Sequence, residues 1–266
     1  MTIQDKGQVT GTAAEIYDQF FVPALFQEWA TRVADRAQIK PRQRVLDVAC
    51  GTGVLARTLR ERVGNTGSVV GLDLNEGMLN VARSRNSDIE WKQSLAEALP
   101  FDTGSFDAVV SQFGLMFFEN RISAIHEMIR VLRPGGKLVV AVWDTLDNTP
   151  GYAAMVKLLG RLFGDEAAKG LRTPYNLGDV NKLQALFQHS LLQNITVDTL
   201  EGHARFPSLE AWMYTDIKGW VLADLIDDEK YALLLKEAPT ELAAYVMDDG
   251  QVVFKAPAHI VSATKV

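Results

Sequence analysis

The chain has 266 residues, of which 47% are hydrophobic and 23% charged, as expected for a globular enzyme with a substantial core. Its formal net charge of −6 argues against a nucleic-acid partner, which needs clustered lysine and arginine. One cysteine excludes an intrachain disulfide, and no apolar run reaches the roughly 18 residues of a membrane-spanning helix. The N-terminus shows no signal-peptide pattern. We therefore expect a cytoplasmic protein without stable membrane insertion.

Aromatic residues dominate the first part of the chain. The segment from Tyr17 to Trp29 predicts a pair of short helices broken near Pro23, because proline disrupts a helix interior. For Phe20 and Phe26, burial of apolar area against a core is at least as good an interpretation as ligand contact. We predict that residues 1–40 form a helical cap segment.

A short apolar strand, near residues 44–49, carries the carboxylate of Asp47 and runs into a loop of small residues. Gly51 and Gly53 permit positive φ and a close approach of the backbone to a ligand. The following residues, 54–63, have the periodicity of an amphipathic helix whose N-terminus faces that loop. This strand, loop and helix predict a nucleoside-binding crevice.

The next predicted strand, residues 68–73, ends on Asp73, whose carboxylate can accept two hydrogen bonds from a ribose diol. A dinucleotide is the competing ligand, since Gly51, Gly53 and Ala56 also fit the spacing of its fingerprint. Asp47 beside the loop would repel a pyrophosphate and attract an ammonium group. A cationic nucleoside is therefore favoured, and a nicotinamide-dependent dehydrogenase remains the less favoured alternative.

Strands and helices alternate over the rest of the first half, with further strands near 89–93, 106–112 and 137–143. This alternation predicts an α/β fold with a doubly wound, mostly parallel sheet. Ligands of such sheets bind at the carboxyl ends of the strands. The loops after residues 49, 73, 93, 112 and 143 all lie at that edge.

The pattern changes after residue 144. Residues 150–172 and about 208–247 are helical by periodicity, while 194–206 and 251–264 resemble strands. We accordingly divide the chain into the cap, a cofactor-binding core at 41–144, and a C-terminal part at 145–266 that continues the same sheet.

Four motifs resemble the class I S-adenosylmethionine-dependent methyltransferases, in particular the small-molecule group that includes the ubiquinone/menaquinone-biosynthesis methyltransferases. They are DVACGTG at 47–53, GLDLNEGML at 71–79, AEALPFDTGSFD at 96–107 and RVLRPGGKL at 130–138. The resemblance implies a Rossmann-like, seven-stranded sheet whose last two strands are 194–206 and 251–264, with the seventh antiparallel at the edge. It also implies that the two late helical stretches are lid insertions over an acceptor.

The same resemblance implies a site for S-adenosylmethionine and its product S-adenosylhomocysteine. Asp73 would hold the ribose, Leu74 and Met78 would pack on the adenine, and Gln112 and Phe113 would lie beside the sulfonium. The full set of implied cofactor residues is Asp47, Ala49, Cys50, Gly51, Gly53, Asp73, Leu74, Met78, Leu95, Ala96, Gln112 and Phe113.

Two positions depart from the pattern of the family. Many relatives carry Asp where Leu95 stands, and leucine cannot accept a hydrogen bond from the adenine amino group. Ala49 replaces the more usual glycine. We therefore expect adenine to be recognised here by backbone groups and apolar contact.

The implied activity is methyl transfer to O, N or C of a small, apolar or aromatic acceptor by in-line displacement. Candidate acceptor residues are Tyr17, Phe21, Phe117, Trp143, Trp212 and Tyr214. The alternative is a non-methylating relative that binds the cofactor or acts as a scaffold. The sequence leaves the acceptor, its reacting atom and the oligomeric state open.

No catalytic residue is identified by the sequence, and no metal site is expected. The four histidines, for which we favour structural roles over that of a general base, are His126, His189, His203 and His259. The fourth strand ends in Ser111 and Gln112 rather than in the carboxylates that a divalent metal would need.

Overall fold

A seven-stranded sheet forms the centre of the molecule, with strand order β3-β2-β1-β4-β5-β9-β6. The computed structural model describes residues 11–220 and 222–266. The strands of this sheet are β1 (Arg44–Val48), β2 (Ser68–Asp73), β3 (Glu90–Gln93), β4 (Phe106–Gln112), β5 (Leu132–Trp143), β6 (Leu192–Leu200) and β9 (Ala258–Lys265). The predicted doubly wound, mostly parallel seven-stranded sheet is confirmed.

Parallel pairing joins β1 through β5, and β1 lies between β2 and β4. The side chains of Val45, Leu46 and Val48 are fully buried, because helices cover both faces of the sheet. The helices are α1 (Gly11–Ile16), a π-helix (Tyr17–Phe26), α2 (Gln27–Arg36), α3 (Val54–Val63), α4 (Glu76–Arg85), α5 (Arg121–Val131), α6 (Pro150–Phe163), α7 (Asp165–Arg172), α8 (Val180–Leu186), α9 (Leu209–Lys218) and α10 (Asp228–Glu241).

The last strand, β9, is antiparallel as expected, but the prediction that it lies at the sheet edge is wrong. It pairs with β5 on one side and with β6 on the other. Most of β9 is buried, including Ile260 and Val261, whereas β6 is largely exposed or half-buried. The more apolar strand therefore occupies the interior position, and β6 forms the edge.

The two late strand-like segments each divide into two strands. Residues 194–206 split into β6 and β7 (His203–Phe206), and 251–264 split into β8 (Val252–Lys255) and β9. Strands β7 and β8 form a separate antiparallel pair. Gly202 lies at the first division, where a Cβ would overlap the ring of Trp29, and its carbonyl accepts a hydrogen bond from the amide of Ala256 at 2.8 Å.

The predicted break near Pro23 does not occur. The chain is helical from α1 through α2, and Pro23 lies inside the π-helix. The wider π turn accommodates the missing proline N–H, and the amide of Gln27 donates to the carbonyl of Val22, five residues earlier. Residues 1–10 of the predicted cap lie outside the described residues.

The late helical stretches are also more divided than periodicity indicates. The stretch at 150–172 breaks at Gly164, whose φ is +86°, and the stretch at 208–247 contains α9 and α10. The short helix α8, in which only Leu183 is buried, begins where the Asp179 side chain accepts from two backbone amides. The divisions at residues 40 and 144 stay predictions.

No helix in residues 11–220 or 222–266 combines the length and the apolar character needed to cross a membrane.

Gly53 and Gly51 offer a matched test of the loop that follows β1. Both have positive φ, but a Cβ on Gly53 would overlap the ring of Trp91, while a Cβ on Gly51 meets open space. We predict that Gly53→Ala lowers the free energy of unfolding by about 2–5 kcal/mol, and Gly51→Ala by about 1–2 kcal/mol. Chemical denaturation measures both. Equal losses would contradict this packing of the loop against Trp91.

Candidate functional site

Two adjoining cavities open at the carboxyl ends of the parallel strands. The first has an empty volume of about 1080 Å³ and is bounded by the loops after β1, β2, β3 and β4. Eleven of the twelve predicted cofactor residues line it; Gly53 is the exception, since it lies behind the loop against Trp91. Other lining residues, which the sequence analysis missed, are Thr52, Val54, Leu55, Leu72, Asn75, Ser94, Glu97, Gly114, Phe118, Glu119 and Trp220.

The loop after β1 is held in a left-handed conformation at Ala49, Gly51 and Gly53, with φ of +58°, +54° and +86°. Its backbone is fixed to β2 by the amide of Cys50, which donates to the carbonyl of Leu72 at 3.0 Å. Ala49 adopts this uncommon region as a non-glycine residue, a kind of local strain that often accompanies ligand sites. The loop therefore presents its backbone to the cavity.

Asp73 connects this loop to the end of β2. One carboxylate oxygen accepts from the amide of Gly51 and the other from the amide of Asn75, both at 2.8 Å. Burial raises the pKa of Asp73, and these amides lower it in part. Each oxygen retains further acceptor capacity, so the carboxylate can also bind hydroxyl groups of a ligand.

Asp47 lies deeper in the same cavity and is 1% exposed. Burial raises the pKa of Asp47 well above its usual range, the negative charge of Asp73 raises it further, and the amide of Ala56 lowers it in part. Within residues 11–220 and 222–266, neither of its carboxylate oxygens completes a hydrogen bond of normal geometry. A buried carboxylate of this kind suits a cationic ligand, which would offset its desolvation.

The outer part of the first cavity is apolar. Leu74 and Leu95 are 38% and 48% exposed, unusually high values for large hydrophobic side chains, and both line the cavity with Met78 and Ala96. These side chains form a slot for a flat apolar ring.

Gln112 and Phe113 complete the inner wall. The Gln112 side-chain nitrogen donates to the carbonyl of Phe26 at 3.2 Å. Phe113 has a φ of +57° and stacks on Trp143 with ring centroids 3.7 Å apart. This wall separates the first cavity from the second.

The second cavity has an empty volume of about 480 Å³, and nine of its thirteen lining residues are aromatic. Five residues line both cavities: Tyr17, Phe26, Phe113, Phe117 and Trp220. Burial, followed by the charges of Asp73 and Asp18, raises the pKa of Tyr17, so its hydroxyl stays protonated. The shared aromatic residues are where ligands in the two cavities would meet.

The helix that carries Tyr17 is fixed to the core by ion pairs. Asp18 is buried and contacts Arg85 at 2.6 Å and Arg57 at 3.8 Å. These arginines lie on α4 and α3. The pairs hold the N-terminal helix across both cavities.

Four of the predicted acceptor residues, Tyr17, Phe21, Phe117 and Trp143, line the second cavity. Trp212 and Tyr214 line neither cavity. Trp212 is fully buried and stacks with Phe206, while Tyr214 is half exposed. Helical rotation explains the difference, because α9 turns a different set of residues toward the cavity.

The residue of α9 that reaches the second cavity is Asp216, which the sequence analysis missed together with Tyr175. Asp216 is 1% exposed and stands four residues after the buried Trp212. An acidic residue on the core-facing stripe of an amphipathic helix was the signal that could have identified it.

None of the four histidines is among the described residues that line these two cavities, and their structural role stays a prediction. His259 is buried, with one ring nitrogen 2.9 Å from the carbonyl of Gly178 and the other 2.8 Å from the hydroxyl of Thr199. His126 and His189 contact each other. In the described part of the chain, no group of three or more histidine, cysteine or acidic side chains could hold a metal ion.

Comparison with known proteins agrees with this geometry. Residues 13–168 match the ubiE/COQ5 methyltransferase family. A demethylmenaquinone methyltransferase of Staphylococcus carnosus is 35% identical over 65% of this chain and 78% of its own length. A ubiquinone/menaquinone biosynthesis C-methyltransferase UbiE of Xanthomonas oryzae is 42% identical over 60% of this chain and 70% of its own length.

Solved structures share the fold. The YcgJ protein of Bacillus subtilis superposes with a TM-score of 0.60 at 17% identity, covering 90% of this chain and 98% of that one. Phosphoethanolamine N-methyltransferase 2 of Haemonchus contortus, in complex with S-adenosyl-L-methionine, superposes with a TM-score of 0.64 at 20% identity. The superposition covers 99% of this chain and 59% of that one.

The resemblance inferred from the four motifs is confirmed by the family match, which covers more than half of the chain. The cofactor is S-adenosylmethionine, and a nicotinamide-dependent dehydrogenase is excluded. The chain belongs to the ubiE/COQ5 methyltransferase family and is an S-adenosylmethionine-dependent methyltransferase of small molecules.

Proposed function

We propose that the chain methylates a ring carbon of a small, planar, hydroxylated aromatic acceptor bound in the second cavity. The observation that carries this proposal is the aromatic lining of that cavity and the wall that it shares with the first. Flat aromatic side chains favour a flat acceptor, which they can stack against or contact edge to face. Carbon is the favoured atom because relatives with 41–42% identity are named C-methyltransferases.

In this proposal the cofactor occupies the first cavity. Asp73 accepts hydrogen bonds from the ribose hydroxyls, and the ammonium group of the methionine portion lies on the cavity side of Asp47. Leu74, Met78, Leu95 and Ala96 would enclose the adenine, and Ala49, Cys50 and Gly51 would present backbone groups to the methionine portion. Support comes from the buried carboxylate of Asp47, whose oxygens complete no hydrogen bond of normal geometry among the described residues and whose ionised form a bound cation would favour.

When bound, S-adenosylmethionine supplies a methyl group on a cationic sulfur that is a very good leaving group. The task of the protein is to align the acceptor with that methyl group and to exclude water, effects that can reach about 7–11 kcal/mol in favourable cases. Gln112 and Phe113 would lie beside the sulfur, where the shared aromatic faces also attract positive charge.

Acceptor choice depends on parts of the chain beyond the family match, which ends at residue 168. Leu171, Tyr175, Asp216 and Trp220 all line the second cavity and follow that point. The helices that carry them would act as the lid over the acceptor. We therefore propose a class of acceptor, a small hydroxylated aromatic ring, and do not assign the complete substrate of any relative to this chain.

The net charge of −6 supports a small molecule over a polynucleotide as acceptor. The cytoplasmic location stays a prediction.

An acceptor panel tests the proposal. The purified protein is given S-adenosylmethionine labelled in its methyl group, under anaerobic conditions, with 1,4-naphthohydroquinone, catechol, naphthalene or benzylamine. We expect a ring C-methyl product, identified by mass spectrometry and NMR, from the hydroxylated rings alone. Methylation of benzylamine in preference to the hydroxylated rings would contradict the proposal.

Asp47→Asn tests the ammonium site. We predict about tenfold weaker binding of S-adenosylhomocysteine, since a hydrogen bond to a charged group contributes about 1.5–3 kcal/mol. Binding of 5′-methylthioadenosine, which has no ammonium group, should stay unchanged. Isothermal titration calorimetry measures both affinities.

The exposed Asp88 provides the matched control, because Asp88→Asn removes the same charge outside the cavity. Equal losses for the two ligands would mean that Asp47 supports the loop rather than the ammonium group.

A further inference from the structure

The second cavity contains one carboxylate, that of Asp216 on α9. Its side chain is 1% exposed. Among the described residues, neither carboxylate oxygen completes a hydrogen bond of normal geometry, and none of the lysine or arginine side chains forms an ion pair with it. The neighbouring polar groups are the hydroxyl of Tyr152 and the ring nitrogen of Trp212, which lower the pKa of Asp216 only in part. A buried carboxylate with so little compensation is costly to ionise, so its position at the wall of a ligand cavity points to a role toward the ligand.

Two tyrosines share this end of the cavity. Tyr152 and Tyr175 both line it, their rings are 6.1 Å apart, and the hydroxyl of Tyr152 also lacks a partner of normal geometry in the described chain. Burial raises the pKa of each tyrosine, and the nearby charge of Asp216 raises it further. Both hydroxyls therefore stay protonated, which leaves Asp216 as the group that can take up a proton.

We propose that Asp216 is a catalytic residue that accepts the proton of the acceptor's ring hydroxyl, an inference that rests on the proposed function above. In this step the O–H bond breaks and the proton moves to a carboxylate oxygen of Asp216. The electron pair of the bond stays on the acceptor oxygen and delocalises onto the neighbouring ring carbon. That carbon becomes the stronger nucleophile and would take the methyl group, while the methyl–sulfur bond breaks and its electron pair stays on the sulfur of S-adenosylhomocysteine. The ring hydrogen at that carbon is then lost as a proton, and the acceptor oxygen regains a proton, so the aromatic hydroxylated ring is restored.

Charge favours a hydroxyl over an ammonium group as the partner of Asp216. The first cavity, which shares five lining residues with the second, would hold a cationic sulfur. A second cation beside it would be repelled, whereas a hydroxyl that gains negative charge is attracted.

The environment of Asp216 suits a base. Burial raises its pKa well above the usual range, and the neighbouring Tyr152 and Trp212 lower it only in part. A carboxylate whose pKa moves toward the working pH accepts protons more effectively than an exposed one.

A pair of probes tests the site without any need for turnover. The protein is saturated with S-adenosylhomocysteine, and binding of 4-nitrophenol is compared with that of 4-nitroanisole, which has a methyl ether in place of the hydroxyl. We expect the wild-type complex to prefer the phenol by about tenfold. Asp216→Asn should lose most of this preference, while Asp224→Asn, an exposed control that removes the same charge, should keep it.

The outcomes distinguish the proposed role of Asp216 from the proposed function on which that role rests. Equal binding of the two probes by the wild type, or an unchanged preference in Asp216→Asn, would overturn the role of Asp216 and leave the aromatic acceptor site standing. Binding of neither probe would overturn both. Unchanged affinity of Asp216→Asn for S-adenosylhomocysteine shows that the variant is folded. If the variant does not fold, the preference of the wild-type protein for 4-nitrophenol over 4-nitroanisole still tests the inference.

Kinetics distinguish a base from a residue that only shapes the cavity. On a hydroxylated acceptor that turns over, Asp216→Asn should lower kcat by about 100-fold or more, the usual range for loss of a general base. The loss should shrink as ring substituents make the hydroxyl more acidic. A loss that is the same for every acceptor would contradict proton transfer to Asp216.

Discussion

Two carboxylates at the ends of neighbouring parallel strands shape the first cavity, in which we propose that the cofactor binds. Asp73 is held by the amides of Gly51 and Asn75, and it fixes the small-residue loop in a left-handed path. Asp47, one strand away, is buried, and neither of its oxygens completes a hydrogen bond of normal geometry among the described residues, although the nearby amide of Ala56 lowers its pKa in part. The first carboxylate fixes the loop, and a cationic ligand would favour the ionised form of the second. The parallel pairing of β1 and β2 brings them together.

The aromatic wall joins this cofactor site to a site of different origin. Phe113 belongs to the core sheet region, Tyr17 to the N-terminal helix, and Trp220 to the region after α9. The Asp18 ion pairs hold the N-terminal helix in place. The family match covers residues 13–168, which include eight of the thirteen residues that line the second cavity.

The sequence was sufficient to predict those features that depend on a particular residue type at a fixed position in the chain. The β1 loop, Asp73 and the parallel strands follow from apolar runs, glycines and carboxylates in fixed order. The position of Pro23 inside a π-helix could not be predicted in this way, because a π-helix depends on how the surrounding residues pack. The position of β9 inside the sheet depends on competition between two strands for burial. Asp216 was missed and Trp212 misplaced because helical phase within the lid depends on tertiary contacts.

The most direct test of the account is the proton balance of ligand binding. In the free protein, burial and the charge of Asp73 raise the pKa of Asp47, so it holds a proton to higher pH than usual. An arriving ammonium group lowers that pKa, so binding must release a proton, and affinity must rise with pH until Asp47 is ionised in the free protein. Calorimetry of S-adenosylhomocysteine in buffers of different ionisation enthalpy, from about pH 5 to 7, measures this release. We predict that S-adenosylhomocysteine releases more protons on binding than 5′-methylthioadenosine does, and that Asp47→Asn removes this difference. Equal proton release for both ligands would contradict the role of Asp47 as the partner of the ammonium group.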